Sequence, residues 1–154
     1  MANIQGILVK LKTKSTSGGG TDDHIYVGIV GKGGGSEFPL DVRGFNDFEA
    51  GNDVKYWFGD VWEGTELAGA KRPYSAGSWN DPGPRYIDLD QVDYVYLRKH
   101  SHSGGSGDDA WKMDKVEVNL YGAASPAKRT FHKTGDIWLA NEYGLHVYLK
   151  EKAD

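Results

Sequence analysis

The 154-residue chain contains no cysteine. That excludes a disulfide framework and any cysteine-based zinc site, and it leaves the redox compartment open. Long apolar runs are missing as well. No stretch approaches the roughly 18 to 20 apolar residues of a membrane-spanning helix, so no transmembrane segment is expected. The opening MANIQGILVKLKTK lacks an extended apolar core behind a basic segment, so no signal peptide is visible. The expectation is a soluble protein of open compartment, with secretion and a peripheral place at a membrane surface both compatible. Positive charge is in deficit: 18 Lys and Arg against 22 Asp and Glu give a net charge of −4. No nucleic-acid partner is expected, because that binding relies on basic patches that displace counterions from phosphates.

Sustained helical periodicity is also absent, and so are the usual catalytic signatures. The sequence holds no HExxH, no GxSxG, no Walker loop and no EF-hand spacing. KHSHS sets His100 and His102 at strand spacing, but no third ligand is specified, and solvated loop histidines are the favoured reading. A Ser/His pair there has neither an orienting carboxylate nor an oxyanion hole. The expectation is a non-catalytic protein.

What is present is a strand pattern. GILVKLKT alternates Ile7, Val9 and Leu11 against Lys10 and Lys12, the period of two of a strand with one wet face. HIYVGIVG, EFPLDV, DVKYWF, VDYVYLRK, KVEVNLYG and GLHVYLKE repeat the signal, and Pro39 marks EFPLDV as an edge strand. DIWLAN offers Trp138 to the core. With 22 glycines and clusters of Asn, Asp and Ser between the runs, the chain reads as an all-β, antiparallel β-sandwich of seven or eight strands. One domain over 1–154 suits the length. Its one long interruption is an insertion at about 59–86 that includes Pro73, Pro82 and Pro84, and it is either functional or partly structured.

Carboxylates gather at strand ends: Asp22 and Asp23 in GGGTDD, Asp41 and Asp47 in PLDVRGFNDF, Asp81 in WNDPG, and Asp108 and Asp109 in GSGDDAW. Two readings stay open. Asp, Asn and Gly are ordinary turn residues. Alternatively, loops gathered at one end of a sandwich supply the 6 to 8 oxygen ligands that calcium takes.

Four segments in order resemble the PLAT domain family, also called LH2: TKSTSGGGTDDHIYVGIVG, NDFEAGNDVKYWF, DLDQVDYVYLRKH with GDDAWKMDKVEVNLYG, and RTFHKTGDIWLAN. Within it the pattern is similar to the C-terminal C2-like domains of clostridial alpha-toxins, which bind calcium and membranes. The resemblance implies an eight-stranded antiparallel β-sandwich with Ca2+ as its cofactor. Carried over by position, it implies that Gly20, Thr21 and Asp22 ligate from the first loop, with Asp109 and the Ala110 carbonyl from the loop before Trp111. Asp47, with Asn46 and with Asp41 and Gly44, forms or shares a second site. The sequence departs from the pattern at Gly18, where the toxin domains often carry an acid, and by one extra residue in DVRGFND. Asp23 faces away from Asp22, since successive strand residues alternate.

The implied function is a calcium-binding module that engages a phospholipid membrane surface or a lipid-associated partner, with Trp62, Tyr74 and Trp79 of the insertion as candidate contact aromatics. The alternatives are a protein–protein interaction module, a carbohydrate-binding module with Trp62 or Trp79 as the stacking platform, or the targeting component of a toxin-like or lipid-acting system with a separately encoded protein partner.

Overall fold

The computed structural model describes residues 3–15, 19–21, 24–40, 42, 48–73, 81–100, 110–140 and 144–152. Eight strands follow one another: β1 (Gly6–Thr13), β2 (His24–Gly31), β3 (Gly34–Pro39), β4 (Asp53–Gly59), β5 (Val92–His100), β6 (Trp111–Tyr121), β7 (Lys128–Leu139) and β8 (His146–Glu151). All strand pairings are antiparallel, in the order β3-β2-β5-β8-β7-β6-β1-β4. The β7–β8 pairing is the narrow hinge of this sheet, with only Phe131 opposite Glu151 and His132 opposite Lys150. The sheet curls about that hinge into two layers. Phe38 of β3 and Phe58 of β4, from opposite ends of the strand order, meet with ring centroids 5.5 Å apart.

Alternation explains what fills the space between the layers. Ile7, Val9 and Leu11 of β1 and Val116, Val118 and Leu120 of β6 face Val27 and Ile29 of β2 and Val95 and Leu97 of β5, all buried in one core. Fully burying such a side chain stabilises the fold by about 1.5–3 kcal/mol.

Register and strand direction fix which loops share an end. Thr13 at the end of β1 lies opposite Met113 near the start of β6, and Lys12 lies opposite Asp53 at the start of β4. In the other layer, His24 at the start of β2 lies opposite His100 at the end of β5. The β1–β2, β3–β4, β5–β6 and β7–β8 connections therefore emerge at one end. The β2–β3, β4–β5 and β6–β7 connections emerge at the other.

Three boundaries differ from the sequence pattern. β3 spans Gly34–Pro39 rather than EFPLDV, and it does lie at the sheet edge. β6 begins at Trp111, four residues before KVEVNLYG. β7 runs 12 residues through KRTFHKTGDIWL, of which only DIWLAN carried an apolar signal.

The insertion is partly structured. A 3-10 turn at Gly64–Leu67 is held by Lys55 Nζ, which donates to the Glu66 carbonyl at 3.1 Å, and by the Lys10–Glu66 ion pair at 3.0 Å. Lys71 then runs parallel to β4: its N–H donates to the Lys55 carbonyl at 2.8 Å and its carbonyl accepts from Trp57 N at 3.1 Å. Leu8 and Tyr121, on the outer side of the β4-β1-β6 layer, are fully buried. Trp62 packs edge-on against Tyr121 with centroids 5.4 Å apart, and Glu63 accepts from the Tyr121 hydroxyl at 2.9 Å and from Lys128 at 2.7 Å.

On the outer side of the other layer, Gly28 performs a task that depends on its missing side chain. Gly28 lies opposite Glu37 on one neighbour and Tyr96 on the other. The Tyr96 ring lies across it, so that a Cβ there would fall 2.1 Å from Tyr96 Cζ, and the Tyr96 hydroxyl reaches Glu37 at 2.7 Å.

Gly28→Ala is expected to expel the Tyr96 ring and cost about 1–3 kcal/mol in urea unfolding, the usual range for overpacking. The same change in a Tyr96→Ala background should cost much less, and additive costs would contradict this packing. Acid should loosen the insertion before the sheet. Hydrogen bonds from Lys128 and Lys10 hold the Glu63 and Glu66 carboxyls below their ordinary value of 4.5. Because these carboxylates are depressed in the fold, their contribution is complete above that ordinary value and lost as pH falls through the folded one. The Trp62 indole N–H resonance should shift in that acidic window, and in Glu63→Gln it should already be shifted at neutral pH.

Candidate functional site

The end bearing the β1–β2, β3–β4 and β5–β6 loops is built around Trp111. Its side chain is completely buried, and its indole N–H donates to Thr13 Oγ1 at 2.9 Å. Phe48 meets it edge-on at 5.9 Å and also packs on Tyr56 at 6.2 Å. Phe48 holds a left-handed backbone with φ 62°, costly for a bulky residue and sustained here by the burial of its ring.

Backbone hydrogen bonds join the three loops on this platform. The Gly19 carbonyl accepts from Lys112 N at 2.9 Å, and the Lys112 carbonyl accepts from Lys14 N at 3.0 Å. Thr21 N donates to the Phe48 carbonyl at 3.0 Å. Thr13 donates to the Asn52 carbonyl at 2.9 Å and accepts from Gly51 N at 3.2 Å. Gly20 lies so close to the second loop that a Cβ would sit 2.9 Å from both Ala50 N and the Phe48 carbonyl oxygen. No larger residue fits there without moving one of the two loops.

Of the residues nominated as cation ligands, Gly20, Thr21 and Ala110 belong to this end, and Thr21 is buried. Asp22, Asp41, Gly44, Asn46, Asp47 and Asp109 lie outside the described residues, as do Tyr74 and Trp79. In the chain, Asp22 directly follows Thr21, Asp47 directly precedes Phe48 and Asp109 directly precedes Ala110. Among the described residues, no group of three or more His, Cys, Asp or Glu is placed to hold a metal ion, and no helix is long and apolar enough to cross a membrane.

Trp62 is not brought to this end. It sits in the β4–β5 connection at the opposite end, half-buried on Tyr121, with its indole N–H donating to the Ala127 carbonyl at 3.3 Å. Trp57 and Trp138 are half-buried rim residues beneath the cations of Arg72, at 4.5 Å, and Lys112, at 5.3 Å. His102 is outside the described residues. His100 instead faces His24 across β2 and β5, with its Nδ1 3.5 Å from Arg98 Nη1.

One residue at this end escaped the sequence reading. Lys99 is completely buried on the inner side of β5, in phase with Val95 and Leu97, and its N–H donates to the Leu145 carbonyl at 2.9 Å. A lysine at an inward position of an alternating strand was the available signal. Its side chain is thereby withdrawn from water at the end of β5.

The profile of the PLAT/LH2 domain matches residues 7–145. The chain belongs to the PLAT/LH2 domain family. This PLAT domain is 29% identical over 127 residues to phospholipase C of Clostridium novyi, a match that covers 82% of this chain and 26% of the relative. Alpha toxin from Clostridium absonum shares the fold with a TM-score of 0.62 at 22% identity, over 97% of this chain and 32% of the toxin. The coral 8R-lipoxygenase, described as showing calcium activation via a C2-like domain, gives a TM-score of 0.56 at 19% identity, over 95% of this chain and 17% of the enzyme. The PLAT domain thus spans about a quarter to a third of the clostridial proteins it matches.

Thr13→Val removes the acceptor of a buried indole N–H and is expected to cost about 1–3 kcal/mol in urea unfolding. Thr13→Ser keeps the acceptor and should lose only the worth of a methyl group, about 0.8 kcal/mol. Equal costs would mean that the hydrogen bond does not hold the loop end together.

Proposed function

We propose that this PLAT domain is a calcium-binding module that docks through its β1–β2, β3–β4 and β5–β6 loops on a membrane lipid surface or a lipid-associated partner. The observation that carries this reading is the stitched platform: Gly19–Lys112, Thr21–Phe48 and Thr13–Asn52 tie together the anchor points of three acidic loops. On this reading Gly20, Thr21 and Asp22 contribute oxygens from the first loop, and Asp109 and Ala110 from the third. Asn46 and Asp47, with Asp41 and Gly44, contribute from the second. Carboxylates gathered in a small space repel one another unless a cation lies between them, and calcium accepts the mixed carboxylate, carbonyl and hydroxyl set that such loops offer.

A bound ion with open coordination positions then bridges to lipid phosphates. Trp62 takes no part, because it belongs to the opposite end. The calcium activation named for the C2-like domain of the coral lipoxygenase supports the same reading by analogy of fold.

Calcium at about 1 mM, the range of extracellular calcium modules, should raise the unfolding temperature, since a ligand of the folded state stabilises it by mass action. Asp22→Asn combined with Asp109→Asn should abolish that shift. Vesicles of phosphatidylcholine and phosphatidylserine should co-sediment the protein with calcium and release it on chelation. An unshifted unfolding temperature overturns the calcium reading. A protein partner captured equally with and without chelator would favour an interaction module instead.

A further inference from the structure

The outer side of the β3-β2-β5-β8 layer carries an organised set of planar side chains that the loop end does not use. Register places Glu37, Gly28, Tyr96 and Tyr148 in one row across the four strands, and Pro39, Tyr26, Arg98 and His146 in the next. Tyr94 and Tyr148 are 58% and 63% exposed, two of the three most exposed large apolar side chains among the described residues. Their ring centroids are 5.9 Å apart, Tyr148 meets Tyr96 edge-on at 5.8 Å, and Tyr96 lies 5.9 Å from His146.

This surface is set before any ligand arrives. The Arg98 guanidinium lies 4.5 Å over the Tyr26 ring and grips Glu37 with two bonds of 2.8 Å. The Tyr96 hydroxyl donates to the same carboxylate, and burial together with that bond pushes its pKa up to about 12, which keeps the proton in place. Arg98, Glu37 and Tyr96 therefore have little side-chain entropy left to lose on binding.

We infer that this face is a binding site for a neutral glycan, with Tyr94 and Tyr148 stacking on sugar rings and Glu37, Arg98 and His146 meeting the hydroxyls at their border. Charge argues for a neutral ligand. Glu37 and Arg98 cancel within the face, and the exposed Asp93, directly before Tyr94, and Lys150, two residues beyond Tyr148, add one charge of each sign at the margin, which selects neither a phosphate nor a polycation. The pairing of exposed rings with fixed donors and acceptors suits a ligand whose C–H faces are apolar and whose rim is hydroxylated. A bilayer is the poorer fit, since these rings stand mid-strand on a sheet rather than on projecting loops. The inference is independent of calcium.

The test is a titration of the 15N-labelled full chain with cellohexaose, maltohexaose, chitohexaose and lacto-N-neotetraose, followed by NMR. At least one should give saturable shifts, with millimolar affinity or better, confined to residues 94–98 and 146–150 and unchanged by EDTA. Tyr94→Ala and Tyr148→Ala should each weaken binding about tenfold or more, while Tyr148→Phe retains it. Because both tyrosines are exposed, all three variants should unfold at the parent temperature. The inference is overturned if no sugar gives saturable shifts, if the alanine variants bind as the parent does, or if this face responds only to protein concentration, which would mark it as a self-association surface. A missing calcium shift in the separate thermal assay would leave this result untouched.

Discussion

The loop end depends on one buried hydrogen bond, from the Trp111 indole to Thr13. A tryptophan brings the largest apolar surface of any residue and a single N–H that must find an acceptor once water is gone. Placing that acceptor on the last residue of β1 turns Thr13 inward, where the β1–β6 register shifts between Lys12 and Thr13. A further shift between Met113 and Lys115 follows in the β6–β7 pair. Such irregularities re-aim side chains at strand ends. Once Thr13 is fixed, its own N–H and carbonyl capture Asn52 and Gly51, and Phe48 closes over the indole. Three loops far apart in sequence thereby share one foundation.

Strands such as β1, β2, β4 and β5 were legible because every second residue along much of their length is apolar and turned to the core. β7 was not legible, since past Phe131 its residues leave the core until Ile137, and RTFHKTGD shows no apolar period. What keeps it a strand is its long pairing with β6, a partner that local sequence does not reveal. The start of β6 was hidden for a related reason: Trp111 and Met113 are buried, but the charged Lys112 and Asp114 that alternate with them read as loop. In the candidate site, the common end of Gly20, Thr21 and Ala110 followed from strand order and a family pattern. The place of Trp62 did not, because an insertion has no period and no family counterpart to guide it.

The two outer faces of the sandwich use polar groups differently. On the β4-β1-β6-β7 layer, Lys10, Lys55 and Lys128 reach Glu63, Glu66 and Glu117, and these bonds strap the insertion over Leu8 and Tyr121. Half-exposed ion pairs of this kind stabilise little individually. Their effect is positional: they close a second, small apolar layer outside the main one. On the opposite layer, Glu37 and Arg98 hold aromatic rings in the open. One face is sealed and the other displayed.

The course of the insertion along β4 also bears on how such a domain is used. β4 and β3 are the outermost strands, and an unguarded outer strand invites pairing with any passing chain. Lys71 occupies backbone groups of Lys55 and Trp57 on β4, while β3 is only six residues long and ends in a proline. A sandwich whose rims are closed in this way is portable. Set beside another chain or domain, its strands have few free backbone groups through which to anneal to the neighbour's, so the fold keeps its own register whatever lies next to it.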